Sequence, residues 1–160
     1  MGMPELTGRR AALIIGGVST ALLLGALGFQ YLGGLAPCPL CMLQRYWHLM
    51  IVAAVGLYIA LPRRLTAAFG ALMSFCAAAV AFFHAGVELK WWEGPQGCSG
   101  VAENMTAMGG AALLSLDSVA PIVKCTEVAW SFVGLSMAGW NGVITLLVAG
   151  LWVICWRRCS

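Results

Sequence analysis

Charge is the scarcest property of this chain of 160 residues: Asp, Glu, Lys and Arg make up only 9% of it, against about 25% in ordinary globular domains. That scarcity, with 61% hydrophobic residues, excludes a soluble globular protein and marks a membrane chain. Basic residues are few and come as short pairs, and the net charge is only +3. No patch exists that could neutralise a run of phosphates, so nucleic acid is excluded as a partner. Internal repeats, low-complexity tracts and a separate soluble domain are absent too, which leaves one domain over 1–160.

Long apolar runs are what the chain does have. A bilayer core is crossed by about 20 mostly apolar residues, and runs of that length lie at about 11–32, 42–61, 65–87 and 137–156. Arg9 and Arg10 precede the first run, as they would in a signal peptide. A signal core spans only about 7 to 15 residues, so this longer run reads as a retained span. The sequence therefore predicts an all-α membrane protein, a bundle of four transmembrane helices. Stripes of small residues on the third run, Gly70, Ser74 and Ala78 or Ala77, Ala81 and Ala85, suit close helix packing.

Lys and Arg near span ends mark the cytoplasmic side. Arg9, Arg10, Arg63, Arg64, Arg157 and Arg158 then share that side, and both termini are expected to be cytoplasmic. Glu88, Glu93, Glu103, Asp117 and Glu127 fall on the opposite side, in the longer of two periplasmic loops at about 33–41 and 88–136. Met105 to Val123 is apolar enough to suggest a fifth span. It contains Gly109, Gly110, Asp117 and Pro121, and crossing would carry the last Arg pair outside. An interfacial segment with Leu113, Leu114 and Leu116 dipping into lipid fits better.

This topology sorts the seven cysteines. Cys38, Cys41, Cys98 and Cys125 face the oxidising compartment, whereas Cys76, Cys155 and Cys159 do not and carry no assigned role. Cys76, among Ala and Phe, reads as a small buried apolar residue. Cys38-Pro39-Leu40-Cys41 is a Cys-x-x-Cys dithiol at the outer mouth of the second span. Cys41 meets a helix N-terminus, whose partial positive charge favours thiolate. Arg45 follows one turn later on the same face, placed to stabilise that thiolate or a reduced electron acceptor. An arginine inside a span costs roughly 2.5–3.5 kcal/mol at the helix centre. Snorkelling to the headgroups is the alternative use of Arg45.

Cys98 and Cys125 lie 27 residues apart, and a bridge between them would stabilise by about 3–4 kcal/mol. Such a bridge serves either as a static staple or as a second dithiol that exchanges with the first. Gly94, Pro95, Gly97 and Gly100 around Cys98 suit an adaptable segment. A zinc site needs a second close cysteine pair, which is missing, so no metal is expected. His84, near the outer end of the third span, suits proton uptake during reduction of an acceptor or a simple bond to a neighbouring helix. His48 reads as a packing or hydrogen-bonding residue, and Trp91, Trp92 and Trp130 as an interfacial aromatic belt.

These residues resemble the DsbB family of bacterial disulfide bond formation proteins. The resemblance rests on Pro37-Cys38-Pro39-Leu40-Cys41 with Gln44-Arg45, on His84, Glu88 and Trp92 before Cys98, and on Pro121, Cys125, Trp130, Gly134 and Asn141. It covers essentially the whole chain. It implies a thiol:quinone oxidoreductase of the bacterial inner membrane that reoxidises a periplasmic, thioredoxin-like DsbA-type partner. Cys98 would form the mixed disulfide with that partner, and Cys125 would pass electrons to Cys38. Cys41, beside Arg45, would face a bound quinone, ubiquinone or menaquinone, drawn from the membrane pool that feeds the respiratory chain, and His84 would line the same pocket. The resemblance is least close around Met108 to Leu116. Two other readings remain: a non-catalytic tetraspan scaffold with static disulfides, and a redox relative of the vitamin K epoxide reductase kind or one serving a dedicated partner. A static bridge across the two-residue gap of Cys38 and Cys41 would gain little, which weighs against the scaffold.

Overall fold

The computed structural model describes residues 3–95, 98 and 124–158, with side chains from residue 7 onward. The segment from Met105 to Val123, Gly97, Gly100 and Cys159 lie outside the described residues, and with them the question of a fifth span. Four helices dominate: α1 (Met3–Tyr31), α2 (Pro39–Ala60), α3 (Arg64–Glu88) and α4 (Met137–Arg158). Each is long and apolar enough to cross a bilayer, and the chain is a multi-pass membrane protein. Each helix covers one of the four apolar runs, with α1 starting eight residues and α2 three residues before its run.

Each helix packs on its neighbours in sequence, α1 on α2, α2 on α3 and α3 on α4, and α4 closes the ring against α1. Short links after α1 and after α2 make those neighbours antiparallel, whereas a long connection joins α3 to α4. The α2–α3 link is a turn at Leu61–Arg63, where Thr66 Oγ1 accepts from the Arg63 N–H and donates to the Leu61 carbonyl. Pro62 stands in that turn and ends α2 sharply.

Small residues let α3 and α4 approach. A methyl group at Gly70 would lie 2.3 Å from the Trp152 ring, so only glycine fits there. Trp152 is fully buried, donates from Nε1 to Ser74 Oγ at 3.0 Å and meets Tyr58 edge-on at 5.8 Å. Gly70 and Ser74 of that stripe thus form a socket for tryptophan, and burial of that ring anchors the bundle away from the two cysteine pairs. Cys155 is buried in this region, with Sγ donating to the Gly8 carbonyl. Cys76 is half-buried rather than buried, because it projects to the side of the Ser74 and Ala77 face.

The opposite end is more elaborate. At the C-terminus of α3 the Trp91 N–H returns to the Gly86 carbonyl and the Lys90 N–H to Val87, with Lys90 in the left-handed region at φ 60°. This is the Schellman ending, with lysine where glycine is usual. It folds the chain back so that Trp92 lies over Gly86 and stacks on Phe83 at 5.8 Å. Before α4, β1 (Ser131–Phe132) pairs antiparallel with β2 (Leu135–Ser136). Val133 and Gly134 both have positive φ, as a tight two-residue hairpin turn requires.

Candidate functional site

The sequence Cys-Pro-Leu-Cys makes the start of α2 a chemical site. Cys38 is the N-cap, in extended conformation, and its sulfur accepts from the Cys41 backbone N–H at 3.3 Å. Pro39 takes the first helical position, where the missing N–H costs nothing. Capping places the two sulfurs 2.9 Å apart, with Cys38 donating to Cys41. That donated bond, then burial and the charge of Cys41, push the Cys38 thiol well above its ordinary range. Of the pair, Cys38, outside the span, keeps its proton and gives it to the Cys41 sulfur.

A second sulfur pair sits directly above. The reversal after α3 leads to Cys98, which is bonded to Cys125 in a disulfide. The Cys125 N–H donates to the Cys98 carbonyl at 3.2 Å, and the Cys98 N–H to Pro95. Both sulfurs are buried in a small cluster with Cys38, Leu40 and Val87. Cys38 Sγ, Cys125 Sγ and a ring nitrogen of His84 all lie within 4.8 Å of one another. Two sulfurs and an imidazole also form the donor set of a soft metal, but Cys125 already spends its sulfur on Cys98.

His84 is buried at the junction. Its Nε2 is 3.5 Å from Cys38 Sγ and 3.9 Å from Glu88 Oε1, and its Nδ1 is 2.8 Å from Gln44 Nε2. Gln44 Oε1 accepts from Asn141 Nδ2, and Asn141 Oδ1 faces both His48 Nε2 at 2.8 Å and Thr145 Oγ1 at 3.2 Å. These bonds join α3, α2 and α4 across the centre of the ring. The Glu88 side chain is buried and shares a hydrogen bond with Ser136, while its Oε2 has no partner among the described residues.

Below this cluster opens a cavity of about 260 Å³. Its apolar walls include Leu22, Phe29, Trp130 and Ile144, and its polar end carries Cys38, Cys41, Gln44, Arg45, His84 and Glu88. Arg45 is half-buried, with Nη2 donating to the Ala26 carbonyl at 3.1 Å and Nη1 to Gln30 Oε1. Its guanidinium is therefore held against α1 at the cavity edge. Trp130 stacks on Phe132 and leans on Phe29, so it serves as a wall of the cavity.

The structure thus brings Cys38, Cys41, Cys98, Cys125, Arg45 and His84 to one end of the bundle. Gln44, Glu88 and Asn141 entered the sequence reading without a role, and His48 as a packing or hydrogen-bonding residue; all four join or border the same polar network. The available signal was the cost of polar side chains in a span, together with the helical spacing of Cys41, Gln44 and His48 on one face.

Comparison with known proteins agrees with this geometry. The model of the family "Disulfide bond formation protein DsbB" matches residues 8–155. Disulfide bond formation protein B of Polaromonas sp. is 27% identical over 88% of this chain and 86% of its own length. That of Stutzerimonas stutzeri is 29% identical over 92% and 96%. Disulfide bond formation protein B 1 of Pseudomonas entomophila is 31% identical over 93% of each. No solved structure matches the chain. A family match over nearly the whole length, on a bundle of four apolar helices with two cysteine pairs at one end, establishes that the chain belongs to the DsbB family of disulfide bond formation proteins.

Proposed function

We propose that the protein is a dithiol:quinone oxidoreductase of the bacterial inner membrane, reoxidising a periplasmic, thioredoxin-like partner of the DsbA kind. The observation that carries this reading is the contact of the two cysteine pairs beside a cavity open to apolar ligands. Thiol–disulfide exchange needs the attacking sulfur next to the sulfur attacked. A partner thiolate attacks Cys98 and breaks its bond to Cys125, leaving the electron pair on Cys125. Cys125 attacks Cys38 in the Cys38–Cys41 disulfide, and the pair moves to Cys41. The partner's second thiolate then releases the partner as a disulfide and frees Cys98. Cys98 restores its bond to Cys125, leaving Cys38 and Cys41 reduced.

A quinone fits the residues present: a flat apolar ring among Leu22, Phe29 and Ile144, with Arg45 at the polar end to bind a carbonyl oxygen. When bound it supplies a sink for two electrons and two protons. Arg45 orients and neutralises developing negative charge there, held in place by Gln30 and Ala26. Cys41 is the thiolate nearest that edge, and Cys38 closes the disulfide as electrons leave. Helix α2 ends and α3 starts at the end away from the two cysteine pairs, and Arg64 lies over the Trp156 ring at 5.5 Å. The Arg pairs gathered there support cytoplasmic termini and a periplasmic cysteine end. The test is anaerobic turnover: purified protein with quinone should oxidise a reduced thioredoxin-like dithiol protein catalytically. Oxidation that proceeds equally without quinone would overturn the reading.

A further inference from the structure

The bonds from His48 to Cys38 form one chain whose polarity is determined at both ends. At the Cys38 end, the sulfur has one hydrogen and donates it to Cys41, so it turns lone pairs to its other neighbours. His84 Nε2 faces that sulfur and the Glu88 carboxylate. The His84 ring also shares a hydrogen bond with the Cys125 backbone, whose N–H is already given to Cys98, so the carbonyl accepts. The two groups that face Nε2, the Cys38 sulfur and the Glu88 carboxylate, are both acceptors, and Nε2 therefore carries the ring proton. At the far end, Asn141 Oδ1 receives the Thr145 hydroxyl and faces His48 Nε2. That orientation turns the Asn141 NH2 to Gln44 Oε1, and the Gln44 NH2 then donates to His84 Nδ1.

We propose that Asn141 is a positioning residue: acting through Gln44, it holds His84 in the tautomer whose Nε2–H is aimed at the sulfur of Cys38. This deepens the thiol relay above and rests on it. When Cys98 re-forms its bond to Cys125, the Cys38–Cys125 bond breaks and its electron pair stays on Cys38. A ready N–H donor stabilises that departing thiolate and keeps it nucleophilic for closing on Cys41. The reverse polarity would put a bare ring nitrogen against the newly formed negative charge. Gln44 and Asn141 act at a distance from the sulfur, and neither touches a reacting atom.

The test uses the full protein, which has two histidines, both in this chain of bonds. Nitrogen-15 spectra of the imidazoles identify the protonated nitrogen in the resting protein, without partner or quinone. Wild type should show His84 protonated at Nε2. Asn141→Asp keeps the shape but offers only acceptors, so Gln44 must turn its NH2 towards it and its oxygen towards His84. The proton should then move to Nδ1, and rapid-mixing measurements should show release of Cys38 slowed about tenfold, the worth of one hydrogen bond to a charged sulfur. Gln44→Glu reaches the same tautomer from the next link and serves if Asn141→Asp does not fold. An Nδ1–H tautomer in wild type, or Nε2–H in both variants, would overturn the proposal. Failure of the wild type to pass electrons to quinone would instead overturn the oxidoreductase reading and leave the tautomer result standing.

Discussion

Cys38 and Cys125 belong to different sulfur pairs, one free and one bridged, yet their sulfurs lie within 4.8 Å of each other. Neither pair is isolated, as a static staple would be. Movement of one sulfur by little more than a bond length brings them into reach for exchange.

This contact predicts a trapped cross-link. In the double variant Cys41→Ser, Cys98→Ser, each remaining sulfur has lost its own partner and meets the other. Cys38 and Cys125 should join spontaneously in air, seen as a linked peptide by mass spectrometry without reduction. Cys38 and Cys125 both surviving mild oxidation as alkylatable thiols would show that the pairs do not exchange.

Arg45 predicts a loss of acceptor affinity. Hydrogen bonds to charged groups are worth about 1.5–3 kcal/mol, so Arg45→Ala should raise the KM for quinone roughly 10- to 100-fold. Arg45→Lys should recover only part, because an ammonium cannot bond Gln30 and Ala26 while also facing the cavity. A lowered melting temperature with unchanged KM would reduce Arg45 to a brace between α1 and α2.

The Cys38 thiol gives a pH signature. Its affinity for the proton is raised in the folded protein, so protonated Cys38 contributes stability that is fully present below its ordinary value of 9.0 and is lost as pH rises beyond it. Thermal unfolding of the reduced protein should therefore shift to lower temperature above about pH 9, and Cys38→Ala should flatten that decline relative to wild type. Parallel curves for the two proteins would contradict the assignment of the proton to Cys38.

Packing and chemistry should separate at Gly70. Any side chain there collides with the Trp152 ring, so Gly70→Val should destabilise by about 1–3 kcal/mol. The site lies at the other end of the bundle, and the folded fraction should keep full turnover. Melting in detergent and activity per folded molecule report the two quantities separately.

The helices were legible because a span needs an apolar run of fixed length, and the runs at 11–32, 42–61, 65–87 and 137–156 each became one. Cys38 and Cys41 were legible because their spacing is local. The contact between Cys125 and Cys38 was not, since it depends on the reversal at Lys90 and on a bridge across a long connection. Gln44 and His48 could be placed on one face from spacing alone, but their partner Asn141 lies on α4, and only the closed ring brings it opposite. Arg45 was read from its distance to Cys41, whereas its bonds go to α1, a helix whose facing surface no motif announces.

The central claim is that the Cys38–Cys41 dithiol passes its electrons to a quinone, and anaerobic single-turnover mixing of pre-reduced protein with added quinone tests it most directly. The account predicts rapid loss of the quinone absorbance with one new disulfide per molecule in wild type, and no reduction in Cys41→Ser. Quinone reduction that persists in Cys41→Ser, or that fails in wild type, would contradict it.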